Sequence, residues 1–274
     1  MRSRFVFTAV LLAVVACALN RAEVAGATKA KPAAPDRIVT VASGGRTRRA
    51  LVHAPPAANG AARVPLVIAL HGHGGTAARM RRRSGWNAAA DARGFIVAYA
   101  EGASWRNIPW RSWNAGACCG YSRETGVDDI AYLRNLLDAL IAEYPVDPAR
   151  VYVTGISNGG MMAYRAACEL SDRIAAIAVV AGAMSAPVCE PAAPVAVLII
   201  HGTADRRVPY AGGRAANGRV DPSVAEAEAF WRRRNGNAAE VTVRTIQGGG
   251  HAWPEDAAAT SAEFFARQSK RAGP

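Results

Sequence analysis

Val151-Tyr152-Val153-Thr154-Gly155-Ile156-Ser157-Asn158-Gly159-Gly160-Met161 is the stretch whose reading decides the fold. Four strand-forming residues run into Gly-x-Ser-x-Gly, and an apolar helical pattern follows at once. This is the strand–turn–helix setting of a nucleophile elbow, where a sharp turn presents a serine hydroxyl at a strand end. Gly155 and Gly159 suit the turn, because neighbours without a Cβ let strand and helix approach closely. A serine that merely caps a helix would show the same five residues. The partners of Ser157 must therefore come from elsewhere in the chain.

Working outward, Pro65–Leu70 is a continuous apolar run, as expected for a strand buried on both faces. It leads into His71-Gly72-His73-Gly74-Gly75, a glycine-rich loop at a strand's carboxyl end, where open α/β sheets bind ligands. Phe95–Ala100, Ala175–Ala181, Val195–Ile200 and Glu240–Ile246 read as further strands, and Ile38–Ala42 with Arg49–His53 as a leading hairpin. The spacing predicts helices over 77–93, 128–144, 158–170, 223–234 and 261–270. Between Glu101 and Val127 the chain is irregular and rich in Trp, Gly and Cys, the mark of a lid or pocket wall. Strands alternating with helices imply an α/β fold, with a mostly parallel central sheet flanked by helices on both faces.

Two further residues complete a constellation. Asp205 follows a buried strand by a short loop, and His251 lies in a glycine-rich loop after the last strand. The order Ser157…Asp205…His251 is the order of the α/β-hydrolase fold, distinct from those of the protease folds. A serine hydroxyl needs a base to take its proton, and imidazole titrates near neutrality. Asp205 would hold the imidazole in the right tautomer and stabilise its cation. The expected oxyanion donors are the backbone N–H groups of Asn158 and His73. Asp221 precedes Pro222 and follows no buried strand, which sets it behind Asp205. His71 and His201 sit before glycines at strand ends and are expected to be structural.

The stretches Leu70-His71-Gly72, Trp113-Asn114-Ala115-Gly116-Ala117-Cys118-Cys119-Gly120, Val127-Asp128-Asp129-Ile130, Gly155–Met162, His201–Asp205 and Gly250-His251-Ala252-Trp253-Pro254 carry a resemblance. Together they resemble the polyhydroxybutyrate depolymerase/feruloyl esterase family of secreted α/β-hydrolases. The resemblance implies hydrolysis of carboxylic esters with Ser157, Asp205 and His251 as a triad. It also implies that Trp113 and Trp253 lie near the substrate cleft. Expected substrates are short hydroxyalkanoate oligomers, hydroxycinnamoyl esters or acetyl esters. The competing functions are a serine peptidase of the same fold and a non-catalytic cell-envelope binding protein on a hydrolase scaffold.

Composition and the N-terminus set the remaining bounds. Half the residues are apolar and a fifth charged, as in an ordinary globular protein. The net charge of +12 lies in arginine-rich segments with no nucleic-acid motif beside them, so no nucleic-acid partner is expected. Arg2 and Arg4 precede an apolar run from Phe5 to Ala18 that is too short to span a bilayer. Residues 1–27 therefore read as an export signal, 28–36 as a flexible lead-in, and 37–274 as one catalytic domain. Val14-Val15-Ala16-Cys17 loosely resembles a lipobox, which would make Cys17 a lipid anchor on an otherwise secreted protein. Cys118, Cys119, Cys168 and Cys189 are an even set, allowing three pairings. No metal-ligand spacing and no cofactor motif is present, so neither is expected.

Overall fold

The computed structural model describes residues 37–270 apart from residues 187 and 216. Residues 1–27, expected as an export signal with Cys17 as a lipid anchor, and 28–36, expected as a lead-in, lie outside the described residues. Strands β1 (Arg37–Ser43) and β2 (Arg46–His53) form the leading hairpin. Gly44 and Gly45 turn it with φ of 55° and 70°, left-handed values that glycine adopts without strain. Strands β3 (Val64–Leu70), β4 (Ile96–Ala100), β5 (Val146–Ile156), β6 (Ala176–Val180) and β7 (Ala196–Gly202) follow. Gly213–Arg214 (β8) and Val220–Asp221 (β9) pair as a small separate ribbon, and β10 (Val241–Ile246) closes the main sheet.

The eight strands of that sheet lie in the order β1-β2-β4-β3-β5-β6-β7-β10, and only β2 opposes its neighbours. All of β3, β4 and β6 are buried, because helices cover both faces. On one face pack α4 (Asp129–Glu143), α5 (Asn158–Glu169) and α6 (Val224–Asn235), through Leu133, Leu137, Met161 and Trp231. On the other pack α1 (Ala77–Arg83), α2 (Trp86–Arg93) and α7 (Ala257–Ala266), through Met80, Trp86 and Phe265. Each such side chain removed from water contributes roughly 1.5–3 kcal/mol. Among the described residues no helix is long and apolar enough to cross a membrane.

Three local expectations change. The helix expected over 77–93 breaks at Ser84-Gly85, where Gly85 turns left-handed with φ of 74° and opens α2. The closing helix begins at Ala257 and ends at Ala266, because apolar spacing continues upstream through Ala257, Ala258 and Ala262. Within the irregular segment, Gly120–Glu124 forms a short helix, α3. The cysteines pair as Cys118 with Cys119 and Cys168 with Cys189. The chain leaves β3 toward β4 on one side and returns to β5 on the other. The carboxyl ends of β3 and β5 thus flank the crevice where such sheets bind ligands.

Candidate active site

Ser157 ends β5 and opens α5 with φ of 57°, a left-handed backbone on a residue that carries a side chain. Its N–H donates to Val180 O (2.9 Å) and its carbonyl accepts from Met161 N (2.8 Å), so the turn is held from both sides. A Cβ on Gly155 would strike the Gly159 carbonyl, and one on Gly159 the carbonyl oxygens of Leu70 and His71. Only glycines let α5 leave the strand this steeply.

Asp205 and His251 come from the loops after β7 and β10, which are laced together. Thr203 N donates to Ile246 O (3.0 Å), Ala204 N to Gly249 O (2.9 Å), and Gly248 N to Thr203 Oγ1 (2.9 Å). The lacing sets His251 Nδ1 against Asp205 Oδ2 at 2.7 Å. Asp205 Oδ1 accepts from Arg207 N (2.8 Å) and Val208 N (2.9 Å), which fixes the carboxylate plane. Burial pushes the Asp205 carboxyl up, but hydrogen bonds from His201, His251 and Val208 outweigh it and hold it well below the usual carboxylate range. An ionised carboxylate on Nδ1 leaves Nε2 as the free ring nitrogen of His251. Because β5, β7 and β10 are parallel, these loops open on the same sheet edge as Ser157.

The other histidines and acids have structural partners. His71 is buried, with Nδ1 donating to Gly72 O (2.8 Å) and Nε2 accepting from Gly102 N (3.0 Å). Burial lowers its pKa to about 4, so the ring is neutral. His201 Nε2 donates to Val208 O (2.9 Å) and shares that proton with Asp205 Oδ2 at 3.4 Å. Asp221 is buried and taken by Arg219 through two bonds of 2.5 and 2.6 Å. Among the described residues no group of three or more His, Cys, Asp or Glu side chains is arranged to hold a metal ion.

Among the described residues no hydrogen bond uses the backbone N–H of Asn158 or of His73. The Asn158 side chain, by contrast, is fully engaged. Its Oδ1 accepts from Trp113 N (2.8 Å) and its Nδ2 donates to Trp113 O (3.0 Å). Trp113, expected near the cleft, lies against Asn158 and His71 with its ring turned inward. It is 0 % exposed, its indole N–H donates to His71 O (2.8 Å), and it stacks on Tyr132. A ring with no free surface cannot touch a substrate; it anchors the segment to β3 and to α5. Trp110 is the exposed tryptophan beside the glycine-rich loop, edge-on to the His73 ring at 5.8 Å and 61 % exposed. Sequence spacing could not separate two tryptophans three residues apart. Trp253 is half-buried, two residues beyond His251, with its indole N–H on Ser84 O (3.0 Å).

Side chains that sequence reasoning passed over hold the segment after β4. Asp129, fully buried, accepts from Arg48 Nη2 (2.8 Å) and Asn114 N (2.7 Å). Burial pushes its carboxyl up against the opposing pull of Arg48. Glu101 receives Ala77 N (2.9 Å) on one oxygen and pairs with Arg111 and Arg49, each at 3.4 Å.

Residues 49–223 match the protein family described as "Esterase PHB depolymerase". A protein named "Putative esterase NocK", from Nocardia uniformis subsp. tsuyamanensis, is 36 % identical over 252 residues, 77 % of this chain and 72 % of that protein. Feruloyl esterase B of Piromyces equi is 32 % identical over 235 residues, 75 % of this chain but 42 % of that longer protein. Among solved structures, an acetyl xylan esterase from Aspergillus awamori superposes with a TM-score of 0.64. It covers 84 % of this chain and 99 % of its own at 16 % identity, a likeness of fold. The family match over most of the sheet, joined to an elbow on a mostly parallel eight-stranded sheet, makes the chain a member of the PHB depolymerase esterase family, a carboxylic ester hydrolase of the α/β-hydrolase fold.

Proposed function

We propose that the chain is an exported serine esterase in which Ser157, His251 and Asp205 form the catalytic triad. The observation that carries this reading is the 2.7 Å bond from His251 to an ionised Asp205, on the sheet edge where Ser157 stands at positive φ. His251 Nε2 takes the proton as Ser157 Oγ attacks the ester carbonyl, and returns it to the departing alcohol. Water then attacks the acyl-enzyme by the same proton path and frees the acid. The N–H groups of Asn158 and His73 receive the oxyanion; one such donor contributes on the order of 3 kcal/mol.

The acyl side is apolar in this reading, because exposed Trp110 adjoins His73 and Trp253 follows His251. Hydroxycinnamoyl esters and short hydroxyalkanoate oligomers are the proposed substrates, with acetyl esters as smaller alternatives. Relatives named feruloyl esterase, acetylxylan esterase/xylanase and poly(3-hydroxyalkanoate) depolymerase support that range. Export accords with the basic, then apolar, start at 1–27 and with two disulfides.

Hydrolysis of p-nitrophenyl acetate and butyrate by wild type and Ser157→Ala tests the proposal. Ser157→Ala should lose about 10⁴-fold or more in kcat. Equal rates for the two proteins would remove the serine from the mechanism, and an inert wild type would favour a binding role. Feruloyl, acetyl and hydroxybutyrate esters compared side by side then rank the substrates.

A further inference from the structure

Between the start of β2 and the segment after β4 lies a cavity of about 640 Å³, within the range of small-molecule sites. None of its lining residues belongs to the proposed catalytic set. Its wall includes Arg46, Arg48, Arg49 and Arg111, facing a single carboxylate, Glu101. Glu101 cannot neutralise them all, since its two oxygens already serve Ala77 N, Arg49 and Arg111. Asp129 occupies one arm of Arg48 from outside the lining.

Two buried donors in the wall have no partner among the described residues: Ser104 Oγ, on a residue 3 % exposed, and Arg48 Nε, on one 5 % exposed. A buried donor left unpaired destabilises the fold, more so when it is charged. Four arginines against Glu101 and the adjoining Asp129 leave the wall with surplus positive charge, complementary to an oxyanion, which arginine forks bind in bidentate fashion. Desolvation lowers the Arg111 pKa against the pull of Glu101, in keeping with a cation short of counter-charge. The volume exceeds that of a bare ion.

We propose that this cavity binds the oxyanion group of a small acidic molecule, carboxylate or phosphate, at a site separate from the ester centre. Arg46, Arg49 and Arg111 supply the charge, with Arg48 and Ser104 completing the wall. The site does not depend on the esterase chemistry. It shares Arg111 with the segment that carries Trp110, so a bound anion would also brace that segment.

The test is thermal unfolding and titration calorimetry of the full chain with sodium phosphate, sodium citrate and sodium chloride at matched ionic strength. At low millimolar concentration general salt effects are small. Phosphate, citrate or both should raise the melting temperature by several degrees more than chloride and show saturable binding. Phosphate alone would identify a phosphate-bearing ligand, and citrate alone a carboxylate-bearing one. Ser104→Asp, which plants a carboxylate among the arginines, should abolish the anion-specific rise. If that variant fails to fold, Arg46→Gln on the exposed rim should still weaken the titrated affinity by about tenfold, the loss of one charge-assisted contact. Equal shifts in all three salts, or equal affinity in wild type and Arg46→Gln, would overturn the proposal.

Discussion

The turn at Ser157 and the segment from Glu101 to Val127 meet at the carboxyl edge of the sheet, yet different forces hold them. The turn is a backbone object: its hydrogen bonds run from main chain to main chain, and Gly155 and Gly159 provide the clearance. The segment has little regular structure and depends on buried polar side chains, Asp129, Arg48, Glu101 and Asn158, for its course. Main-chain geometry tolerates most side-chain changes. A buried polar network does not, because each partner removed leaves another unsatisfied in a low-dielectric setting. The turn should therefore yield mainly to changes at its glycines, whereas single polar deletions should loosen the segment while the turn persists.

The sharpest way to break this contrast is Asp129→Ala. It strands Arg48 without its buried counter-charge and should cost about 3–5 kcal/mol in denaturant unfolding. A loss below about 1 kcal/mol, typical of exposed pairs, would deny the network its role. Next is Asn158→Ala, which keeps the backbone N–H but removes both side-chain bonds to Trp113. It should cost roughly 2–4 kcal/mol. If Asn158 serves only through its backbone, stability would instead stay at the wild-type value.

Acid should reach the junction of the two regions through His71, which joins Gly72 to Gly102. Its folded pKa of about 4 lies below the ordinary 6.5, so protonation favours the unfolded chain. The neutral ring's contribution is complete above about pH 6.5 and is lost as pH falls toward 4. Between pH 7 and pH 5 wild type should lose about 2 kcal/mol through this group, and His71→Gln should flatten that slope. The smallest effect belongs to the neighbour of Asp129. Asp128 is exposed and caps α4 by accepting from Ala131 N, so Asp128→Ala should cost only about 1 kcal/mol. Two adjacent carboxylates would then differ several-fold in what they contribute.

This contrast also explains what could be read from the chain alone. The elbow, the parallel sheet and the order of Ser157, Asp205 and His251 depend on local spacing and on strand ends, which the residue pattern carries directly. The break at Gly85 was marked only by one small residue inside a helical pattern. The partners that hold the 101–127 segment are distant in sequence: Asp129 and Arg48 are 81 residues apart, Asn158 and Trp113 are 45. No periodicity encodes such pairings. The same holds for the tryptophans, since only the folded chain shows that Trp113 turns inward and Trp110 outward.

That division makes the protein its own optical gauge. Trp86, Trp113 and Trp231 are fully enclosed, while Trp105 and Trp110 are 56 % and 61 % exposed and belong to one segment. An aqueous collisional quencher should reach the outer pair, reach half-buried Trp253 in part, and spare the inner three. The quenchable fraction of the emission would then follow ligands arriving at the 101–127 segment or beside Trp253. The wavelength of the unquenched remainder would follow the integrity of the core, so a single cuvette would separate occupancy from unfolding.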